Sequence, residues 1–422
     1  MSFLNLPDEL ISMICEKLER VVDLVNISVC SKRFNFICKS SNIYNSEVYS
    51  LNLEKNVHNA LKFNKSIKLK LDLSNYESVL DVSELGNVHT LNLSYRCNIS
   101  DVSKLGKVNN LNLSNCNKIT DVSMLGNVQT LNLSGCVNVS DVSKLGNVHT
   151  LNLSWCSQIT DVSNLGSLYK LDLSACDSIT DFSRLGDVNS LSLYMCNITN
   201  NDLYSLKNVH TLNLTSCVIS DVSMLGNVHT LVLSFCQNIT DVSNLGRVHN
   251  LNLSYCDGIT DVSNLGKVHN LNLSWCKNIS DVSMLVNVHT LNLRGCKITD
   301  VSNLGTVHSL ELTYCYCITN VSNLGNIHTL NISRCKRITD VSTLGNVHTL
   351  NLSYCTIKDV STLGKVHTLN LSRCYNIINV SNLGNVYDLN LSYCKNIRDV
   401  SMLGKVHTLN LSGCEKIETH IL

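Results

Sequence analysis

The twenty residues LNLSYCDGITDVSNLGKVHN, from Leu251 to Asn270, are followed at Leu271 by a near copy of themselves. Within this unit the apolar positions are Leu251, Leu253, Cys256, Ile259, Val262, Leu265 and Val268, too few and too widely spaced to enclose a core. Neighbouring copies must supply the missing contacts. Leu251 and Leu253 alternate with Asn250, Asn252 and Ser254, the period of two that marks a short strand buried on one face. Copies begin at Leu71, Leu91, Leu111, Leu131, Leu151, Leu171, Leu191, Leu212, Leu231, Leu251, Leu271, Leu291, Leu310, Leu330, Leu350, Leu369, Leu389 and Leu409. One strand from each coil, stacked at about 4.8 Å, predicts a parallel sheet.

The recurring V-x-x-L-x-L-x-x-C-x-x-I resembles the leucine-rich repeat, L-x-x-L-x-L-x-x-N/C-x-L, across residues 71–422. The resemblance implies a leucine-rich-repeat solenoid of about 18 coils. Coils this short leave little room for a return helix, and Thr-Asp-Val-Ser is a poor helix interior, so the convex side is expected to be extended or 3₁₀. Gly follows the inward leucine in almost every coil, as at Gly86, Gly106 and Gly246, where a turn needs either a positive φ or close backbone approach. Val286 breaks that pattern and predicts local strain. The coil from Leu191 loses its Asp-Val-Ser, and those from Leu212, Leu291 and Leu350 are a residue short; these irregular coils are expected to be where the stack bends. Glu-Thr-His-Ile-Leu follows the last coil with no evident capping helix, which predicts an open edge prone to pairing.

The 422 residues carry 33 basic and 33 acidic side chains. A neutral chain makes no field that gathers phosphate or anionic lipid, so neither nucleic acid nor membrane is an expected partner. MSFLNLPDEL has no basic, then apolar, leader pattern, and no run approaches the length of a membrane span. Twenty-one cysteines in a long chain without a signal peptide read as reduced thiols, and the expected location is the cytoplasm, with the nucleus as a further compartment.

Residues 1–45 differ in composition. Leu10, Ile14 and Leu18 fit a helix face, with Pro7, Asp8 and Glu9 in its first turn. LPDELISMICEKLERVVDLVNISVCSKRFNFIC, from Leu6 to Cys38, resembles an F-box: Leu-Pro-x-Glu-Leu, a spaced Asp-Leu, then Val-Cys, with Phe34 where tryptophan is usual. The resemblance implies a small α-helical F-box that docks on the Skp-type linker of a Skp-cullin-F-box ubiquitin ligase through Leu6, Pro7, Leu10, Ile14, Leu18, Leu24, Val29 and Phe34. It also implies a substrate receptor with no chemistry of its own. The near-identical coils are similar to F-box/leucine-rich-repeat proteins encoded by giant amoeba-infecting viruses, for which the compartment would be the host cytoplasm. Residues 46–70, with Lys55, Lys62, Lys65, Lys68 and Lys70, read as a linker and a degenerate capping coil.

Counting the strand leucine as position one, sixteen coils place cysteine at position six, from Cys116 to Cys414, where a buried thiol can donate weakly to backbone carbonyls. Twelve coils carry His two residues before the leucine, nine of them in succession from His210 to His367. A joint zinc site is excluded, because His149 and Cys156 lie about 23 Å apart along extended chain. The histidines read as a surface column. No catalytic motif stands apart from repeat-wide copies, so no enzyme, metal or cofactor is expected.

Binding information belongs where coils differ. Position five holds Tyr95, Trp155, Phe235, Tyr255, Trp275, Tyr314, Tyr354 and Tyr393, plus Arg334 and Arg373, the residue types of interface hot spots. This rim is expected either to bind a protein target or to shield the edge of the cysteine column by ring stacking. The functional expectation is a ligase substrate receptor. The alternatives are a non-enzymatic interaction scaffold whose helices only cap the solenoid, and a phosphatase-regulating repeat protein.

Overall fold

A strand centred on one leucine must pair at once with a neighbour to satisfy its backbone, and a nearly constant repeat length makes that neighbour the next coil. The computed structural model shows this pairing, and it describes residues 44–45, 70–74, 82–95 and 98–417. Most of the expected helical head and capping coil lies outside the described residues. The chain divides into two units, Met1–Asn197 and Ile198–Leu422. In the first, short strands from Tyr44–Asn45 and Lys70–Asp72 through to Ser190–Ser192 pair in parallel and in chain order. In the second, strands from Thr211–Asn213 to Thr408–Asn410 do the same. Identical positions face one another, as Leu251 faces Leu271 and Asn252 faces Asn272.

The convex side is built by one side chain. Asp261 Oδ1 accepts the Ser263 N–H at 2.8 Å, an Asx turn that opens the 3₁₀ turn Ser263–Leu265. Leu265 N–H then reaches Val262 O at 3.0 Å and Val268 N–H reaches Leu265 O at 3.0 Å. The same bond recurs at Asp101, Asp161, Asp241 and Asp399. The leucines, isoleucines and valines at the repeated apolar positions are buried in every described coil before the last, and Phe182 fills the valine position of its own coil with no exposure. Short coils with a 3₁₀ return make this a leucine-rich-repeat solenoid fold.

The glycine after the inward leucine serves close approach, not a positive φ. Gly246 has φ −62°, and a Cβ there would meet Asn264 O at 2.3 Å. At Val286 the preceding Ser283–Leu285 segment is a plain turn, but so are residues 143–145 and 183–185, whose glycines are intact; the valine is not the cause. In the coil from Leu191 the turn is replaced by a short α-helix, Leu203–Leu206, and the boundary between the two units falls in this coil. In the final described coil Val406, Leu409, Leu411 and Cys414 are only half-buried, whereas their counterparts are enclosed.

Candidate functional site

After the strand the chain must reverse within three residues. Tyr255 N–H continues the sheet ladder to Ser274 O at 2.9 Å, while Cys256 N–H closes a turn onto Leu253 O at 3.3 Å. Both bonds are made with position five in the left-handed region, φ 62° at Tyr255. That is the sign a type II turn requires at its third residue, normally Gly or Asn. Among the described residues fourteen non-glycine residues adopt it, all at position five, from Tyr95 to Tyr393, and Gly135, Gly295 and Gly413 adopt it in the same column. A non-glycine residue in this conformation costs about 1–2 kcal/mol, so the large side chains sit where the backbone least favours them.

In the unit Ile198–Leu422 those side chains form one stack. Phe235 and Tyr255 lie at 4.3 Å and 7°, Tyr255 and Trp275 at 6.1 Å. Trp275 then reaches over Gly295 to Tyr314 at 5.9 Å; a Cβ on Gly295 would stand 2.4 Å from the indole. Beyond Tyr314 the stack alternates cation and ring. Arg334 lies 5.0 Å from Tyr314 and 4.0 Å from Tyr354, and Arg373 lies 5.3 Å from Tyr354 and 4.3 Å from Tyr393. Each such contact contributes about 0.5–1 kcal/mol when exposed. The structure thus brings together eight of the ten expected rim residues. Tyr95 and Trp155 belong to the other unit, and Trp155 has only Gly135 and Ala175 at its position in the adjoining coils, leaving it 58% exposed.

The floor beside this stack is polar but largely self-satisfied. Asn252 Oδ1 accepts the Ser254 N–H at 3.0 Å, Asn250 Nδ2 donates to Thr230 Oγ1 at 2.9 Å, and Asn270 Nδ2 donates to Asn250 Oδ1 at 2.6 Å. They line a shallow groove of about 320 Å³ that also contains Val232.

An F-box domain model matches residues 3–46, and a leucine-rich-repeat model matches residues 285–302. The chain carries an F-box ahead of a leucine-rich-repeat solenoid. Among solved structures, a leucine-rich-repeat protein of Leptospira interrogans matches at 18% identity over 84% of this chain and 91% of that one, with a TM-score of 0.51. The functional domain of InlJ from Listeria monocytogenes, which includes a cysteine ladder, matches at 20% identity over 78% and 72%, TM-score 0.45. Both likenesses are of fold. No curated protein matches the sequence.

The F-box residues Leu6, Pro7, Leu10, Ile14, Leu18, Leu24, Val29 and Phe34 lie outside the described residues. The described cysteines of the solenoid form no disulfide, and all but Cys317 and Cys414 are buried. Cys256 Sγ donates to Leu233 O in the preceding coil at 3.1 Å, and Cys276 Sγ to Leu253 O at 3.0 Å. Burial pushes the Cys136 and Cys176 thiols up to about 12 and those of Cys236 and Cys276 to about 11, so these are donors and not nucleophiles. The histidines of the second unit form a column from His210 to His367 with 4.5–4.8 Å between successive rings, stacked except at His269, which is tilted against His249 and edge-on to His289, and the column passes through Tyr387 to His407. Partial desolvation, and then the adjacent imidazoles, hold His229, His269 and His348 below the ordinary histidine range. No group of three metal-ligating side chains converges among the described residues.

Sequence reasoning missed the left-handed turn, although Gly135, Gly295, Gly413 and Asn115 in one column carried the signal. It also passed over Arg294, which stands at position four, where other coils bury serine, and lies exposed 5.1 Å from the Tyr314 ring.

Proposed function

We propose that the protein is the substrate-recognition subunit of a Skp-cullin-F-box type ubiquitin ligase, acting in the cytoplasm. The carrying observation is the F-box match at residues 3–46 ahead of a solenoid whose variable side chains are gathered into one ordered ridge. In this reading the apolar F-box residues hold the Skp-type linker, at about 1.5–3 kcal/mol for each large side chain fully buried, and the linker brings the cullin. The solenoid holds a protein target at position five. F-box and leucine-rich-repeat architectures are typical of non-catalytic adaptors, and no enzyme family matches the chain. Affinity purification of tagged wild type and a Leu10→Asp, Ile14→Asp double variant from a eukaryotic lysate tests the reading, with circular dichroism as the folding control. Linker and cullin are expected with wild type and absent from the folded variant. Their absence from wild type would leave an interaction scaffold in which the N-terminal helices are a cap.

A further inference from the structure

Between the coils from Leu291 and Leu389 the ridge is cationic. Arg294, Lys297, Arg334, Lys336, Arg337 and Arg373 occupy positions four to eight, and no Asp or Glu stands at positions four to nine of these coils. On either side the charge is internally paired: Lys277 with Asp257 at 2.9 Å before the stretch, and Lys395 with Glu415 at 2.9 Å after it. Among the described residues none of the six cations makes an ion pair.

A second observation points the same way. The Asx-turn aspartate is replaced by Asn320 and Asn379 in the coils that carry Tyr314 and Arg373. Each asparagine Oδ1 still accepts its serine N–H, from Ser322 and Ser381, at 2.9 Å. The turn is kept and the negative charge removed, in two coils of the cationic stretch.

The stack also decides between anions. A nucleic-acid strand would need free ring faces on which bases could lie. Here Tyr314 is approached by Trp275, Arg294 and Arg334, and Tyr354 lies between Arg334 and Arg373. Guanidinium planes held against tyrosines keep their N–H forks at the edge of the stack, the arrangement that takes a carboxylate bidentately. Arg294, Arg334 and Arg373 recur every second coil, about 10 Å apart at sheet spacing, and a peptide in the polyproline II conformation, with three residues per turn at about 3.1 Å each, returns to the same face at about that distance every third residue.

We propose that this ridge binds an acidic peptide of the target in the polyproline II conformation, with carboxylates three residues apart engaging Arg294, Arg334 and Arg373. The proposal rests on the target-surface reading of position five and not on linker docking. Fluorescence polarisation with the full chain would use a labelled peptide of Glu-Ser-Gly repeats, a Lys-Ser-Gly peptide and oligothymidylate. The acidic peptide is expected to bind, to weaken with added salt, and to lose at least about tenfold in an Arg334→Gln, Arg373→Gln variant. Lys267→Gln with Lys365→Gln, outside the ridge, should stay within about twofold. Should the first variant fail to fold, Lys336→Glu with Arg337→Glu, exposed and outside the stack, makes the same test. Unchanged affinity in the ridge variants overturns the proposal, as does tighter binding of oligothymidylate. Linker capture by the same proteins separates the two readings: capture without peptide binding sinks this proposal alone, and peptide binding without capture sinks the adaptor reading alone.

Discussion

Position five combines an unfavourable backbone with a favourable side-chain neighbourhood, and single substitutions separate the two. Gly295→Ala places a methyl against the Trp275 indole at φ 73°, and a loss of about 2 kcal/mol or more is expected by denaturant titration, with a changed tryptophan emission. Trp275→Ser removes two ring contacts and is expected to lower Tm, whereas Trp155→Ser, which has no ring at its position in adjoining coils, should leave Tm unchanged. If both lower it equally, the stack is not what stabilises the ridge. The ladder thiols give a complementary readout. Burial and a pKa near 11–12 keep Cys136, Cys176, Cys236 and Cys276 protonated at pH 8, so they should react with Ellman's reagent only as the solenoid opens.

At the scale of the coil, the Asx turn separates a hydrogen bond from a charge. The Ser263 bonds hold the Asp261 carboxyl below the usual range, against opposing repulsion from Asp281 and Asp241. Asp261→Asn, which copies Asn320 and Asn379, keeps the bond but gives up the net stabilisation of the charged form that the lowered pKa records, so Tm at pH 7 should fall slightly; Asp261→Ala should lower it further, because the Ser263 N–H loses its acceptor. In the cation–ring stack, a double-mutant cycle on Arg334 and Tyr354, 4.0 Å apart, should return a coupling of about 0.5–1 kcal/mol. The coil was the most legible element in the sequence. Leu251, Leu253 and Cys256 declared strand, face and turn, since burial on one side imposes a period of two. The role of Gly246 was half legible: glycine announces permissiveness, but only the packed neighbour shows that it makes room for Asn264 O. The splitting of position five was not legible, because stacking depends on which rings and cations fall in adjacent coils.

Across a whole unit, ladders add small effects of one sign. The folded-state pKa values of His229, His269 and His348 lie below the unfolded value, so on acidification the unfolded chain takes up protons first. Their contribution to stability is full above about pH 6.5 and is lost as the pH falls through the depressed values. Tm is therefore expected to fall between pH 7.5 and 5.5, before the aspartates titrate; a flat profile would show that the stacked imidazoles do not resist protonation. The head was legible as a motif, in Leu6-Pro7-Asp8-Glu9-Leu10, because the F-box pattern is carried by residue types at fixed spacing, and the family match over residues 3–46 agrees with it. The repeated register has an evolutionary corollary. Every inward-facing column holds nearly the same residue in coil after coil, so unequal recombination that deletes or duplicates a coil rejoins leucine to leucine and thiol to carbonyl. What changes is the order of side chains at the outward positions, the rings and cations of position five among them. A lineage can thus reorder its exposed side chains by exchanging whole coils within its own gene, leaving the folding problem already solved.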